Sequence, residues 1–267
     1  MTEATPVLLI GAGALGSSIL KGFRVKGHVK ASEVMILDLK PNDFAQSFAA
    51  DGAKLNVPPE DWSAAKTIIL AVKPQGWHAV ADILKGNIAP DAVILSVMAG
   101  VRVEQLQQAF AGHPVGRVMP TTGMATGQGV ASLFGDRPAS LDAARSLFAP
   151  MAQTVELDDE SLLNPATAVS GSGPAYVYAF VRALEKAGRA NGLSYGHARD
   201  LARGTLISAA RLLDETGEEP DVLIKNIASP GGTTQAALDV LCKDGEGIDE
   251  LILAAVVAAN KRSKELG

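Results

Sequence analysis

Short apolar runs alternate with helical patterns in the first half of the chain. The runs rich in Val, Ile and Leu are predicted strands, and they lie at residues 7–10, 34–38, 67–72, 92–97 and 116–119. Apolar residues at helical spacing occur between them, at residues 14–25, 80–84 and 101–110. Because strand and helix alternate, we predict an α/β domain with a doubly wound parallel sheet, and later edge strands at residues 127–134 and 154–157.

The second half of the chain has a different pattern. Strand-like runs stop after about residue 163, and alanine-rich helices are predicted at residues 174–191, 197–215, 222–227, 235–243 and 248–265. We therefore predict two domains, residues 1–162 and an all-α domain of residues 163–267. The last helix carries no charge between Leu251 and Ala259. A helix that is apolar on every side must be buried, so we predict that it lies in a subunit interface.

Composition narrows the class of protein. Of the 267 residues, 47% are apolar but only 4% are aromatic, which suits closely packed helices and a buried parallel sheet. The formal net charge is -5, and scattered Lys and Arg argue against nucleic acid or an anionic membrane as a partner. No run approaches the roughly 20 apolar residues of a membrane helix. Because the single cysteine allows no internal disulfide and no signal-peptide pattern is present, we predict a cytoplasmic protein.

A glycine-rich turn lies between the first predicted strand and the first predicted helix. Gly11, Gly13 and Gly16 have the spacing of a dinucleotide-binding, or Rossmann-like, fingerprint. In that fingerprint the first glycine makes the turn, the second admits the pyrophosphate, and the third lets helix and strand pack. We predict that these glycines, with Ala14 and Leu15, bind the cofactor. The alternative is a tight turn without a ligand.

The acid that ends the second predicted strand bears on the choice of dinucleotide. Asp38 lies about 20 positions after the fingerprint, where an acid commonly holds the ribose 2′-hydroxyl of NAD and repels a 2′-phosphate. Lys40 follows closely and offers that phosphate a partner instead. Both residues are predicted to bind cofactor, and the sequence leaves NADH and NADPH open. The alternative for Asp38 is a turn cap before Pro41.

A second cofactor-binding segment is predicted where the run at residues 67–72 ends. It consists of Ala71, Val72, Lys73 and Pro74, at the carboxyl edge of the predicted sheet, where ligands collect. We expect Lys73 near the negative groups of the cofactor, although a surface lysine is the alternative. The 4 histidines show no metal-ligand spacing, so we predict no metal site.

A turn rich in glycine and threonine opens the predicted helix at residues 235–243. This 229–234 turn consists of Ser229, Pro230, Gly231, Gly232, Thr233 and Thr234. Glycine lets the backbone approach a ligand, and the free N–H groups and positive dipole end of a helix favour a carboxylate or phosphate. The alternative is that Thr233 or Thr234 only caps the helix.

These motifs, in this order, resemble the pyrroline-5-carboxylate reductase family over almost the whole chain. The most specific parts are residues 167–176, which read TAVSGSGPAY, and the 229–234 turn; residues 71–75 (AVKPQ) and 262–266 (RSKEL) agree as well. The resemblance implies a Rossmann domain followed by a helical domain that builds an intertwined homodimer, with decamers in the family. It also implies reduction of 1-pyrroline-5-carboxylate to L-proline with NADPH or NADH, the last step of proline biosynthesis.

The resemblance also implies roles for individual residues. Thr234 is expected to be the catalytic residue, beside the ring nitrogen of the substrate. The implied substrate-binding residues are Ser229, Gly231, Gly232, Thr233 and Thr234, and the backbone amides of residues 231–234 hold the carboxylate. The 71–74 segment and Thr122 are expected to line the nicotinamide side.

The chain departs from the family pattern at two places. Thr121, Thr122 and Gly123 stand where members usually carry Asn-Thr-Pro, and Asn164 stands where Asp is frequent. The first departure keeps open a reductase of a related cyclic imine acid, such as a six-membered one. A β-hydroxyacid dehydrogenase is disfavoured because residues 174–184 contain no lysine. A dinucleotide-binding homologue without catalysis is the remaining alternative, and the 229–234 turn argues against it.

Overall fold

The computed structural model describes residues 3–265, and Leu266 of the closing motif lies outside the described residues. The chain divides into two compact units. The first runs to Gly171 and takes in the chain again from Asn260, and the second is Ser172–Ala259. The predicted boundary after residue 162 falls inside the first unit and stays a prediction.

An eight-stranded sheet forms the centre of the first unit. Its strands are β1 (Val7–Ile10), β2 (Val34–Leu37), β3 (Lys54–Leu55), β4 (Thr67–Leu70), β5 (Val93–Ser96), β6 (Val115–Pro120), β7 (Gly129–Gly135) and β8 (Ala152–Glu156). They lie in the order β3-β2-β1-β4-β5-β6-β7-β8, and β1 to β6 are parallel. The chain therefore winds outward in both directions from β1 and β4, which confirms the predicted doubly wound sheet.

The last two strands differ from the prediction of two edge strands. β7 pairs antiparallel with β6 on one side and parallel with β8 on the other, so of these two strands only β8 is an edge strand. The physical reason is the connection from β6 to β7. It is a single short 3-10 turn at Thr122–Thr126, which suits an antiparallel pair, whereas a parallel pair needs a much longer crossover.

Helices cover both faces of this sheet. The α-helices of the first unit before Gly171 are α1 (Ala14–Lys26), α2 (Asp43–Ala50), α3 (Trp77–Leu84), α4 (Val103–Ala109), α5 (Pro138–Phe148) and α6 (Leu163–Ala166). Along β1, Val7 and Leu9 belong to one apolar core and Leu8 and Ile10 to the other. Because alternate residues of a strand point to opposite faces, this arrangement shows that the sheet is buried on both sides.

The second unit consists of helices. They are α7 (Gly173–Ala190), α8 (Tyr195–Thr216), α9 (Pro220–Ile227), α10 (Thr233–Leu241) and most of α11 (Ile248–Glu265). Within the described residues of this unit, the buried apolar side chains are those of Ala198 and Ala202. Leu251 is 69% exposed and Leu253 is 65% exposed in the single chain. The single chain therefore leaves these two side chains of α11 uncovered, and the burial of the helix in a subunit interface stays a prediction.

Candidate active site

The fingerprint lies where the adjacent strands β1 and β4 end. Gly11 follows β1 with φ +96°, and its N–H donates to the carbonyl of Leu37 at 2.9 Å. A β-carbon at Gly11 would lie 2.6 Å from the carbonyl oxygen of Ala71, which follows β4. Two predicted cofactor segments thus meet at the carboxyl ends of β1 and β4, where the strand order reverses and ligands bind in such sheets.

The other two glycines of the fingerprint have different tasks. A β-carbon at Gly16 would overlap the carbonyl oxygen of Gly11, so only glycine fits. A β-carbon at Gly13 would meet nothing within 4 Å, which leaves the approach to α1 open. Gly13 and Ala14 are exposed at the start of α1, Leu15 is half-buried, and the first turn of α1 carries no acid. The free N–H groups and positive helix end therefore suit the pyrophosphate of a dinucleotide.

Asp38 directly contacts the fingerprint. Ala12 N–H donates to Asp38 Oδ2 at 2.6 Å, and Lys40 N–H donates to Asp38 Oδ1 at 2.7 Å. The carboxylate is half-buried, while the Lys40 side chain is exposed. Asp38 is therefore more than a turn cap, since one of its oxygens holds the backbone of the glycine-rich turn.

Asn42 is a site residue that the sequence pattern did not reveal. Its side-chain amide donates to the carbonyl of Ala12 at 2.7 Å and to the hydroxyl of Ser17 at 2.8 Å. Its Oδ1 accepts from Ala45 N–H, which makes it the N-cap of α2. An Asn before an acidic first turn is a recognisable N-cap pattern, but the two other bonds join residues far apart in sequence.

The 71–74 segment continues from β4 into a short turn. Ala71 N–H donates to the carbonyl of Ile10 at 2.8 Å, and Ala71 and Val72 are half-buried. Pro74 begins a 3-10 turn that leads into α3, and Lys73 precedes it with an exposed side chain. The segment thus places its backbone beside Gly11, while the Lys73 ammonium is free to meet an anion.

The loop with the unusual Thr-Thr-Gly sequence is well fixed. Thr121 is buried; its hydroxyl accepts from Val130 N–H at 3.0 Å, and its own N–H donates to the Val130 carbonyl at 2.8 Å. Thr122 is exposed. A β-carbon at Gly123 would lie 3.1 Å from the carbonyl oxygen of Gln128. Thr121 therefore stabilises the start of the loop, and Thr122 is the hydroxyl that a ligand can reach.

In the second unit, the 229–234 turn leads directly into α10. Gly231 has φ +70°, a left-handed conformation that favours glycine. Gly232 N–H donates to the carbonyl of Ser229 at 2.9 Å, and a β-carbon at Gly232 would lie 2.5 Å from the Ser229 hydroxyl oxygen. Both glycines are therefore needed to form this turn. The expectation that all four amides of residues 231–234 hold the carboxylate is wrong for Gly232, because its N–H is used within the turn.

The threonines of this turn are not helix caps. The N-cap of α10 is Gly232, and no side chain caps it. The alternative that Thr233 or Thr234 serves as the N-cap is thus wrong, because the helix already includes both residues. Thr234 is half-buried and Thr233 is exposed. With no acid in the first turn, the N–H groups of α10 are available to a carboxylate.

A polar cavity of about 800 Å³ lies apart from these segments, within the first unit. Arg117, which is buried in β6, pairs there with Glu160 at 2.8 Å, and Glu160 also accepts from Val103 N–H. Asn164 Oδ1 accepts from the Ser263 hydroxyl at 2.8 Å. This bond joins the unusual Asn164 to the closing RSKEL motif, which is a structural role for both.

Within residues 3–265, the helices lack the length and apolar character that a membrane span requires. No group of three or more His, Cys, Asp and Glu residues in that part of the chain is arranged to hold a metal ion.

Two family models match different parts of the chain. A model described as pyrroline-5-carboxylate reductase dimerisation matches residues 160–266. A model described as NADP oxidoreductase coenzyme F420-dependent matches residues 6–100. The second match contains the fingerprint and the 71–74 segment, and the first contains the 229–234 turn.

Similar proteins span the whole chain. A pyrroline-5-carboxylate reductase of Synechocystis sp. is 33% identical over 97% of each chain, and one of Pseudomonas aeruginosa is 34% identical over 98% of this chain and 97% of its own. The solved structure of such a reductase from Coxiella burnetii has a TM-score of 0.87 at 25% identity, covering 99% of each chain. The solved structure of a Plasmodium falciparum pyrroline carboxylate reductase with NADP bound has the same fold. Its TM-score is 0.84 at 24% identity, and the match covers 100% of each chain. The chain belongs to the pyrroline-5-carboxylate reductase family.

Proposed function

We propose that this chain reduces 1-pyrroline-5-carboxylate to L-proline with NADPH or NADH, the last step of proline biosynthesis. The observation that carries the proposal is the 229–234 turn, whose glycines open the start of α10 without a capping side chain. A dinucleotide-binding homologue without catalysis has no need of such a turn. The 33–34% identity to reductases over nearly the whole chain supports the same reaction.

The first unit supplies the residues for the cofactor. Gly11, Gly13 and Gly16, with the first turn of α1 at Ala14 and Leu15, bind the pyrophosphate. Asp38 and Lys40 lie on the ribose side, and the 71–74 segment and Thr122 line the nicotinamide side. When bound, the reduced nicotinamide supplies the hydride that the imine carbon accepts.

The second unit supplies the residues for the substrate. Backbone N–H groups of Gly231, Thr233 and Thr234 hold its carboxylate. The Gly232 N–H donates to the Ser229 carbonyl instead, so Gly232 and Ser229 serve the site by shaping the turn around the carboxylate. The Thr234 hydroxyl orients the ring nitrogen and helps to relay its proton. No histidine or carboxylate base is required, because a protonated cyclic imine is already a good hydride acceptor. The chain therefore acts mainly by positioning.

Replacement of Thr234 tests this assignment. Thr234→Ala should lower kcat/KM for pyrroline-5-carboxylate by roughly 10- to 100-fold, since a hydrogen bond to a charged group contributes about 1.5–3 kcal/mol. Thr234→Ser, which keeps the hydroxyl, should retain most of the activity. The loss of absorbance of NADH or NADPH measures turnover, and Thr216→Ala at the end of α8 is the matched control. Full activity of Thr234→Ala would contradict the role.

The same assay distinguishes the substrates. Pyrroline-5-carboxylate, its six-membered homologue and a 3-hydroxy acid are compared with the wild-type protein. Preference for the six-membered ring would assign the chain to the related imine acid, in keeping with the altered loop at Thr121, Thr122 and Gly123. Binding of dinucleotide without oxidation by any substrate would identify a homologue that lacks catalysis.

The assembly and location belong to the same proposal. The chain forms a homodimer through its C-terminal helices, and the dimers assemble into decamers as the family resemblance implies. The exposed apolar side chains of α11, among them Leu251 and Leu253, support the dimer. The single Cys242 supports a reducing cytoplasm as the location, since the chain holds no internal disulfide.

A further inference from the structure

We infer that this chain selects NADH over NADPH and that the carboxylate of Asp38 makes the distinction. The inference rests on the proposed binding of a dinucleotide by the first unit. A single charged group thereby decides between the two cofactors.

The carboxylate of Asp38 is fixed in position. Both of its oxygens accept backbone N–H groups, Oδ2 from Ala12 and Oδ1 from Lys40. The Asp38 N–H itself donates to Asn56 Oδ1 at 2.9 Å. Asn56 has φ +50°, a conformation that asparagine tolerates better than most residues. Its N–H donates to the carbonyl oxygen of Ile36 in β2. The aspartate therefore cannot turn aside for a bulky anion without losing these bonds.

The chemistry of the carboxylate suits a ribose and not a phosphate. An ionised carboxylate offers about four acceptor positions, and the two backbone N–H groups occupy two of them. The remaining positions accept the hydroxyls of an adenosine ribose, which donate. A 2′-phosphate replaces one such hydroxyl by a dianion near neutral pH, so a donor is lost and a like charge is added.

No cation in the described part of the chain neutralises this carboxylate. Asp38 and Lys40 form no ion pair there, and the Lys40 side chain is exposed. Arg24, on the neighbouring α1, is already paired with Asp51 and lies over the ring of Phe44. A 2′-phosphate would therefore meet an uncompensated negative charge at the fingerprint.

Titration of both dinucleotides without substrate tests the inference. The fluorescence of the bound reduced nicotinamide gives a Kd for NADH and for NADPH. The wild-type Kd for NADPH should exceed that for NADH by about tenfold or more, as expected for two like charges a few ångströms apart at a protein surface. The ratio should fall at high salt, which screens the repulsion.

Asp38→Asn removes the charge and should bring the two Kd values to within about threefold of each other. Asp38→Ser is the second variant, in case the amide disturbs the turn. Asp43→Asn is the matched control, because it removes one negative charge from the first turn of α2 without touching the fingerprint. Its NADPH-to-NADH ratio should remain that of the wild type.

Three results would overturn the inference. They are equal or tighter binding of NADPH by the wild type, an unchanged ratio in both Asp38 variants, and a loss of NADPH binding alone in Lys40→Ala. The last would assign the 2′-phosphate to Lys40. Failure of the wild type to bind either dinucleotide would instead contradict the proposed function, so the two failures are distinguishable.

Discussion

At the scale of single residues, Gly231 shows how one backbone conformation shapes the turn that we propose as the substrate site. Its φ of +70° is strained for any residue with a β-carbon, and most of all for a β-branched one. Gly231→Val should therefore distort the turn and raise the KM for pyrroline-5-carboxylate at least about tenfold, while the Kd for dinucleotide stays unchanged. Steady-state kinetics and a dinucleotide titration measure the two effects.

Gly231→Asn is the matched variant for that experiment. Asparagine tolerates the left-handed conformation, so its effect on KM should be smaller than that of valine. An equal loss of substrate and dinucleotide binding in Gly231→Val would indicate general misfolding. An unchanged KM would show that this turn does not hold the substrate.

The sequence predicts those site residues at which only one amino-acid type fits the backbone conformation. Gly11 and Gly16 have no room for a side chain, and this limitation is visible as a spacing of glycines. Asn42 and Asn56 are different, because their roles come from hydrogen bonds to Ala12 and Asp38 across a turn. The first bond depends on how β1 and β2 lie side by side, and the second on how β2 and β3 do, which no local pattern contains.

At the scale of elements, the predicted strands and long helices are confirmed, but β3, α2, α5 and α6 were not predicted. In α5 much of the buried face consists of small residues, such as Ser140, Ala143 and Ala144, so the apolar periodicity is weak. The orientation of β7 also escaped the prediction. It is decided by the length of the turn at Thr122–Thr126, not by the residues of the strand.

One contact between elements should make stability depend on pH. His28, just after α1, donates through Nε2 to the carbonyl of Leu147 in α5 at 2.9 Å. Burial lowers the pKa of His28 below its usual value, against the raising effect of the Leu147 carbonyl, and Lys26 lowers it further. Below a pH of about 6.5 the unfolded chain takes up a proton more readily than the folded one, so the free energy of unfolding falls.

Replacement of His28 should remove this acid sensitivity. Between about pH 7.5 and pH 5.5 the urea midpoint of the wild type should decrease more than that of His28→Gln. His197→Gln is the control, because His197 is an exposed histidine at the start of α8. The same decrease in the wild type and in His28→Gln would contradict the effect.

At the scale of the whole molecule, exposed apolar side chains predict an oligomer. Leu253 is 65% and Val257 is 58% exposed in the single chain, on an uncharged stretch of α11. Leu253→Glu should shift the mass in solution from two or more copies to one, since an unpaired charge is costly in an apolar interface. Size-exclusion chromatography with light scattering measures the mass.

Ala50→Glu adds the same charge at the exposed end of α2 and should keep the wild-type mass. A wild type that is already a single copy would contradict the proposed dimer. The sequence predicted the uncharged stretch of α11, but not which side chains meet a second copy, because that depends on two chains together.

The bonds around Ala12 have a consequence for the energetics of ligand binding. Its N–H is held by Asp38 and its carbonyl by Asn42, so the glycine-rich turn has its shape before any dinucleotide arrives. The conformational entropy of ordering this turn is lost when the chain folds, not when the cofactor binds. Binding of the cofactor therefore does not include this entropy loss, which favours a lower Kd. The turn keeps the same conformation when the cofactor binds and when it dissociates.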